Sequence, residues 1–202
     1  MKKIKDALVL FAITLIAGLL LGAVNEVTKD PIAQQEIEKN AEAYRTVSPD
    51  AKSFEATDAV KGALERAESL MAEHSELGNA VIEDAVEALD ASGNFVGYVV
   101  KSTSKDGYAG AITVAVGISS EGTVTGIDFL VIGETAGLGM KATEPDFKDQ
   151  FKDKTVEAFE VTKSGAATEN EIDAISGATY TSEAVTNAVN AAIVFAADCM
   201  GQ

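Results

Sequence analysis

Hydrophobic and polar residues follow three different patterns along the 202 residues of the chain. Residues 7–24 form one uncharged, mostly apolar run. Between residues 81 and 132, short apolar runs alternate with turn-forming residues, as in paired β-strands. Beyond residue 182, apolar residues recur at three- and four-residue intervals, as in an amphipathic helix. These patterns predict an α+β protein: an N-terminal transmembrane helix followed by one domain, with a twisted antiparallel sheet flanked by helices.

The N-terminal pattern is typical of a membrane anchor. Residues 1–6 carry three lysines, and the uncharged run at 7–24 approaches the roughly 20 residues that cross a bilayer as a helix. Lysines before the run and acids after it, such as Glu26 and Asp30, predict a cytoplasmic N-terminus. The alternative is a cleavable signal peptide, whose apolar core is about 7 to 15 residues long. Both interpretations export the domain, and the anchor interpretation predicts a single-pass protein of the cytoplasmic (inner) membrane with an extracytoplasmic domain.

Residues 25–80 are predicted to form a juxtamembrane helical region. After Pro31 the sequence is polar and rich in helix formers up to about Asn40. The segment from Tyr44 to Asp50 ends in Ser-Pro-Asp, which indicates a loop. Residues 54–77 again consist mostly of helix formers, and they carry no motif that indicates a site.

Four strands are predicted in the first half of the domain at residues 81–202. Residues 81–89 and 95–101 flank one turn, and residues 112–118 and 123–132 flank another. Consecutive strands with short turns form an antiparallel sheet, and helices cover its surface.

Glycine-rich loops interrupt the domain at two places. Residues 133–139 contain three glycines and indicate a loop whose backbone something approaches closely. A shorter loop with two glycines lies between the hairpins at residues 105–110. After the loop at 133–139 we expect a short helix at 145–151, which has proline near its start. A strand at 156–161 and a polar loop at 164–170 are expected to follow.

The last loop carries the most informative motif. Residues 173–182 read Asp-Ala-Ile-Ser-Gly-Ala-Thr-Tyr-Thr-Ser and directly precede the amphipathic helix. Ser182 is the predicted N-cap, with Glu183 in the first turn. The predicted buried face consists of residues at helical spacing: Val185, Ala188, Val189, Ala192, Ile193 and Ala196. A helix start offers unpaired N–H groups and a positive dipole end, so this hydroxyl-rich turn could hold a phosphate monoester. On its own, a Ser-Gly-Ala-Thr stretch is more often a helix cap than a cofactor site.

Charge and composition exclude several classes of function. The formal net charge of −16 gives a surface that repels nucleic acid. A single cysteine, Cys199, excludes a disulfide framework, a Cys-x-x-Cys pair and a four-cysteine metal or iron–sulfur site. The only histidine, His74, lies among charged residues, and the chain has no nucleophile elbow. Neither a dinucleotide fingerprint nor a P-loop is present, so we predict no catalytic residues, no metal site and no binding of NAD or ATP.

Three motifs in order resemble the FMN-binding domain family. Asp173 followed by Ser-Gly-Ala-Thr is similar to the family's flavin-attachment motif, in which FMN is esterified through its phosphate to the final threonine, here Thr179. Gly-Glu-Thr-Ala-Gly-Leu-Gly at 133–139 and Gly-Tyr-Ala-Gly at 107–110 are similar to two further family elements. Together with the N-terminal anchor, these motifs resemble the G subunits of Rnf electron-transport complexes, and more distantly the NqrC component of the sodium-pumping NADH:quinone reductase.

The resemblance implies a role for each motif residue. Thr179 would carry the FMN phosphoester, and the following residues would contact FMN: Ser176, Gly177, Ala178, Thr181 and Ser182 near the phosphate, Glu134 and Thr135 as polar ring contacts, and Gly137, Leu138 and Gly139 as backbone and packing contacts. Thr181 and Ser182 could donate to the phosphate or cap the helix. Asp173 would serve recognition by a separate flavin transferase that uses FAD. Relatives usually carry proline where this chain has Ala136, which implies a less rigid loop.

The resemblance also implies a function. Residues 81–202 would be the FMN-binding domain of a subunit that relays electrons within a membrane complex, which couples electron transfer between ferredoxin and NAD to translocation of sodium ions or protons. The expected partners are the other complex subunits, the membrane through residues 7–24 and the flavin transferase. Such a subunit is a redox relay rather than a complete enzyme. Two alternatives are an FMN-domain protein of another respiratory or regulatory membrane system, and a non-redox anchored scaffold.

Overall fold

The computed structural model describes residues 11, 14, 15, 18 and 40–201 of the chain. The chain divides into two compact units, Met1–Lys39 and Asn40–Gln202. The described residues of the first unit are helical, and the rest of the predicted membrane and juxtamembrane helices up to residue 39 lies outside the described residues. Among the helices that the structure describes, none is long and apolar enough to cross a membrane.

The second unit contains seven strands and four α-helices among its described residues. In chain order these are helix α1 at residues 40–47, β1 Ser53–Glu55, α2 Asp58–Glu73, β2 Ala80–Leu89, β3 Phe95–Ser104, β4 Ile112–Ser119, β5 Val124–Val131, α3 Pro145–Lys148, β6 Glu160–Thr162, β7 Glu171–Asp173 and α4 Thr179–Met200. Short 3₁₀ helices lie at Ser75–Leu77, Gly139–Thr143 and Asp149–Phe151.

Strands β1 to β5 form an antiparallel sheet in which each strand pairs with its neighbour in sequence. Both predicted hairpins are therefore confirmed, as β2–β3 and β4–β5. Strand β1 was not predicted, because three residues with one apolar side chain between exposed acids and hydroxyls carry no clear alternation. The pairing of β1 with the end of β2 supplies the order that the local sequence lacks.

Helices α2 and α4 cover one face of this sheet and form the main core with it. Val114 and Val116 of β4 point into this core, and both are fully buried. The predicted apolar face of α4 is confirmed, since all six of its residues are buried in the same cluster.

Thr57 caps α2 by accepting a hydrogen bond from the Val60 N–H. The helix predicted at 54–77 therefore begins four residues later than expected, at Asp58.

Helix α1 packs on the opposite face of the sheet. Tyr44 and Val47 are buried there against Val99, Ala115 and Leu130. The loop predicted from Tyr44 to Asp50 is therefore wrong for residues 44–47, which are helical, while residues 48–50 form the turn. The Ser-Pro-Asp signal correctly marks the end of this helix, but the apolar residues before it were too few to indicate a buried face.

The segment between β5 and α4 contains short helices and a two-stranded parallel sheet. The helix predicted at 145–151 is present as α3 and the following 3₁₀ turn. The strand predicted at 156–161 is displaced, because only β6 at Glu160–Thr162 is extended and paired. It pairs in parallel with β7, which was not predicted. Strand β7 ends at Asp173, six residues before α4 begins at Thr179.

Candidate functional site

A cavity of about 350 Å³ opens at the N-terminus of α4. Three separate stretches of sequence line it: Tyr108 from the 105–110 loop; Glu134, Thr135, Leu138 and Gly139 from the 133–139 loop; and Gly177, Ala178, Thr179, Tyr180 and Thr181 from the start of α4. The fold thus brings together all three motifs that the sequence singled out. Such a volume lies at the lower end of the about 300–1,000 Å³ typical of ligand sites.

Helix α4 begins inside the Ser-Gly-Ala-Thr motif. Its first residue is Thr179 and its N-cap is Ala178, with no side-chain capping hydrogen bond. The prediction that Ser182 caps the helix is therefore wrong, because the helix begins three residues earlier. The N–H groups of Thr179, Tyr180 and Thr181 have no acceptor among the described residues, since the first helical bond runs from the Ser182 N–H to the Ala178 carbonyl.

A tight turn holds the residues before the helix. The Ala178 N–H donates to the Ile175 carbonyl at 2.8 Å, and Gly177 in the third position of this turn has φ 78°. Positive φ there, without positive φ at Ser176, is the geometry of a type II turn, which favours glycine.

Ser182 stabilises this turn from within the protein. Its hydroxyl accepts the Ile175 N–H and donates to the Ala178 carbonyl, both at 3.0 Å. Ser182 is fully buried and does not line the cavity. Its hydroxyl is therefore already committed to the backbone of the motif.

The 133–139 loop contains a second turn of the same kind. The Leu138 N–H donates to the Thr135 carbonyl at 3.1 Å, and Gly137 has φ 76°. The exposed Leu138 side chain lies over Gly177, where a Cβ would be 3.4 Å from Leu138 Cδ2. The two turns therefore meet along one wall of the cavity, and Gly137 shapes this wall without lining it.

Glu134 joins the loops around the cavity. It is only 7% exposed, and its Oε1 accepts the Ala109 N–H at 3.2 Å. Its Oε2 lies beside Gly139, where a Cβ would be 2.7 Å from this oxygen and 2.7 Å from Thr181 Oγ1. One carboxylate thus links the 105–110 loop to the floor of the cavity at Gly139 and Thr181.

Two tyrosines at the cavity were absent from the predicted site residues. Tyr108 is 75% exposed and Tyr180 is 70% exposed, and both line the cavity. The signal for Tyr108 was available, because it lies inside the Gly-Tyr-Ala-Gly motif. Asp106 holds this loop by accepting the backbone and side-chain N–H groups of Asn79 at 2.7 and 2.5 Å.

Asp173 and Ser176 lie outside the cavity, in a shallow surface groove on the other side of the turn. Both are exposed, and no hydrogen bond engages their side chains within the described part of the chain. The Gln150 side chain instead holds the Asp173 backbone, because its Oε1 accepts the Asp173 N–H at 2.6 Å and its Nε2 donates to the Asp173 carbonyl at 3.4 Å.

Comparisons with known protein families match both ends of the chain. The model of the FMN-binding domain matches residues 107–194, and the model of the RnfG N-terminal region matches residues 1–47. The first match contains every residue that lines the cavity.

Curated relatives match almost the whole chain. The G subunit of the Na⁺-translocating ferredoxin:NAD⁺ oxidoreductase complex of Acetobacterium woodii is 38% identical over 193 residues, which cover 94% of this chain and 89% of the relative. The G subunit of the proton-translocating ferredoxin:NAD⁺ oxidoreductase complex of Clostridium ljungdahlii is 34% identical over 202 residues, covering 96% and 95%.

A solved structure is also similar to this chain. The C subunit of the Na⁺-translocating NADH-quinone reductase of Parabacteroides distasonis matches with a TM-score of 0.49 and 20% identity, over 84% of this chain and 96% of that one. On the strength of the sequence relatives, the chain belongs to the RnfG family, the G subunits of ion-translocating oxidoreductase complexes, and it contains the FMN-binding domain of that family.

Proposed function

We propose that this protein is the FMN-carrying electron-transfer subunit of a membrane-bound Rnf-type ferredoxin:NAD oxidoreductase complex that translocates sodium ions or protons. FMN lies in the cavity at the start of α4 and is attached through its phosphate to Thr179. The observation that carries this proposal is the convergence of the three loops on one cavity that Thr179 lines. The names of the relatives, which are G subunits of such complexes, support the type of complex.

The start of α4 fits a phosphate monoester. Three consecutive N–H groups, from Thr179 to Thr181, are without acceptors in the described part of the chain, and the positive end of the helix dipole favours an anion beside them. No hydrogen bond within this part occupies the Thr179 hydroxyl, and its residue is partly exposed. A hydroxyl that served only as a helix cap would accept a hydrogen bond from an N–H group in the first turn of α4. No hydroxyl of this motif accepts such a hydrogen bond.

The rest of the cavity fits a flat aromatic ring system. Tyr108 and Leu138 provide apolar surface, while the Thr135 hydroxyl and the loop backbone provide polar groups. Position 139 on the floor of the cavity favours glycine, because a Cβ there would be 2.7 Å from Glu134 Oε2 and from Thr181 Oγ1. Since Glu134 already binds the Ala109 N–H, we assign it the role of holding the Tyr108 loop in place beside the ring.

Bound FMN supplies the one-electron redox chemistry that this chain's own side chains lack. The protein's residues fix the position of the ring, exclude water from one side of it and hold its phosphate. Attachment at one end keeps the ring at a high local concentration, so a modest cavity is sufficient to bind it.

Attachment requires a separate flavin transferase. In the proposed reaction the Thr179 hydroxyl oxygen attacks the phosphorus of the FMN half of FAD, loses its proton and displaces AMP. The exposed Asp173 side chain is available for recognition by the transferase, and Gln150 holds the backbone from which it projects. Residues 7–24 anchor the protein with its N-terminus in the cytoplasm, so that attachment and electron transfer occur on the outer side of the membrane.

The first experiment is an intact-mass measurement of the full chain, exported together with an active flavin transferase. We expect a gain of one FMN less water in the unmodified chain and in Thr179→Ser, which keeps a hydroxyl, but not in Thr179→Ala. Equal gains in all three proteins would refute attachment at Thr179. No gain in any of them, together with no flavin retained on the folded protein, would favour the scaffold alternative.

The electron-transfer role has its own test. Membranes that contain the complete complex are assayed for ferredoxin-dependent NAD reduction with either the unmodified protein or Thr179→Ala. We expect the variant to assemble but to lose most of the activity. Full activity without bound flavin would refute the proposed relay.

A further inference from the structure

Two adjoining cavities lie along α4, away from the candidate flavin site. One, of about 450 Å³, is bordered by the 3₁₀ helix at Ser75–Leu77, by β6 and by one side of α4. The other, of about 380 Å³, is bordered by the last turns of α4 and by residues 155–157. Glu157 and Val194 line both, so the two cavities form one continuous surface. We refer to it as the α4 groove.

The first part of the α4 groove is strongly acidic. Four glutamates line it, Glu76, Glu157, Glu160 and Glu183, and no lysine or arginine does so. All four are exposed, and the only other ionisable group in the lining is His74, whose ring Nδ1 lies 2.7 Å from Glu76 Oε1. A lysine lies close by, since the Lys154 ammonium is 5.8 Å from the centroid of the lining Phe159 ring. Four carboxylates outnumber it, so this part of the groove attracts a positively charged group.

A buried hydroxyl in the same lining has no partner among the described residues. Thr186 is 2% exposed, and its Oγ1 forms no hydrogen bond within this part of the chain. The neighbouring Asn190 is fully paired, since it accepts the Phe159 N–H at 2.8 Å and donates to the Phe159 carbonyl at 2.9 Å. Buried polar groups are almost always hydrogen-bonded to protein or to ordered water, so this hydroxyl offers a hydrogen bond to a polar group that enters the groove.

The second part of the α4 groove is apolar. Most of its lining residues are apolar, and Met200 among them is 38% exposed. The apolar residues are Ile118, Val156, Ile193, Val194, Ala197 and Met200. An acidic region next to an apolar one along a single helix complements a segment with basic residues on one side and apolar residues beside them.

We propose that the α4 groove binds a basic, amphipathic segment of a neighbouring subunit. This inference rests on the proposed function, which supplies the neighbouring subunits. A second copy of this chain is a poor occupant, because its net charge is −16. Nucleic acid and anionic lipid are poor occupants for the same reason. The apolar part anchors the segment, and the carboxylates select its charge.

The first test neutralises the acidic part in the assembled complex. The variant Glu157→Gln/Glu160→Gln/Glu183→Gln is compared with Glu65→Gln/Glu68→Gln/Glu73→Gln, which removes the same charge from exposed glutamates of α2. We expect the groove variant to bind the rest of the complex about tenfold more weakly at moderate salt, because three rim pairs that each contribute modestly are lost together. The α2 variant is expected to match the unmodified protein. Equal affinity of the two variants for the complex would overturn the inference.

Thr186→Val provides a second variant of nearly the same shape. Removing an unpaired hydroxyl is expected to leave the thermal stability of the free protein unchanged or higher. Faster dissociation of this variant from the complex would support a hydrogen bond from the partner. Unchanged dissociation of Thr186→Val would refute that hydrogen bond.

A photo-reactive benzoylphenylalanine in place of Met200 identifies the occupant directly. We expect a cross-link in the assembled complex to a peptide of a neighbouring subunit with net positive charge and apolar residues. A cross-link to an acidic peptide, to lipid, to residues 1–39 of the same chain or to nothing would overturn the inference. Flavin content and co-purification are measured on the same samples, so that failure of the proposed function, with no flavin or no complex, is distinguished from failure of the groove.

Discussion

Gly139→Ala is the substitution that most directly tests how the cavity is built. Gly139 is buried where the 133–139 loop meets α4. A Cβ at this position would lie 2.7 Å from Thr181 Oγ1, 2.7 Å from Glu134 Oε2 and 2.8 Å from Glu134 Cβ. The Glu134 carboxylate oxygen and the Thr181 hydroxyl could rotate away, but the Glu134 Cβ is fixed by its backbone. The loop must therefore move away from the helix.

The size of the effect follows from these contacts. Overpacking by one methyl in a buried site costs about 1–3 kcal/mol. For a unit of this size each kcal/mol lowers the melting temperature by about 2–4 °C, so we expect a fall of about 2–12 °C. Displacement of Glu134 also removes the acceptor of the Ala109 N–H, which releases the loop that carries Tyr108.

The matched control is Gly133→Ala in the same loop. A Cβ on Gly133 meets no atom within 4 Å, and its φ lies outside the positive range that disfavours alanine. We expect this control to melt at or slightly above the temperature of the unmodified protein. Both variants are examined by thermal unfolding and, once flavinylated, by flavin fluorescence, since a tyrosine stacked on the ring quenches its emission.

Brighter flavin fluorescence and a lower melting temperature in Gly139→Ala alone would support the described cavity. If Gly139→Ala and Gly133→Ala had the same melting temperature and the same flavin fluorescence, the close contact of Gly139 with Glu134 and Thr181 would be refuted. A lower melting temperature without a change in fluorescence would instead refute the position of the ring beside the Tyr108 loop.

Three further predictions concern single groups. Ala136→Pro places proline at the second position of a type II turn, where the Ala136 N–H has no acceptor among the described residues. We expect the free energy of unfolding, measured with denaturant, to rise by about 0.4–1 kcal/mol, and a decrease would contradict that turn. Glu134→Ala, but not Glu134→Gln, should speed hydrogen exchange at the Ala109 amide by about 2- to 13-fold, and equal exchange in both would contradict the bond at 3.2 Å. Burial, and secondarily the nearby Asp198, raise the pKa of the Cys199 thiol to about 11, so its modification by a disulfide reagent should still accelerate above about pH 9, whereas a plateau near that pH would contradict this environment. The folded state holds the Cys199 thiol proton more tightly than the unfolded chain does. The resulting contribution to the free energy of unfolding is therefore present below the ordinary thiol pKa and is lost as pH rises toward the raised pKa of about 11.

Local patterns predicted the elements that carry long, regular signals. The two hairpins and the buried face of α4 follow from periodicity over seven or more residues, and they are confirmed. Elements of three residues, such as β1 and β7, were not predicted. Their partners lie about ten or more residues away, so their extended conformation depends on pairing rather than on their own sequence.

The start of α4 shows where a local rule fails. Serine before an acidic residue is a sound capping signal, but the tertiary structure uses the Ser182 hydroxyl to hold the turn at Ile175. The helix consequently begins at Thr179, and no side chain of the described residues caps its first N–H groups. The failure coincides with the proposed phosphate site, where uncapped N–H groups have a use.

The sequence by itself determined the hairpins, the amphipathic helix and the positions of the three motifs. Only the tertiary structure decided that these motifs meet, that Glu134 links two loops and that Tyr108 faces the cavity. The physical reason is the range of the interactions. Periodicity and turn chemistry act between neighbours in sequence, whereas the cavity is built from loops far apart in the chain, at residues 105–110, 133–139 and 173–182, that touch only after the sheet and α4 have packed.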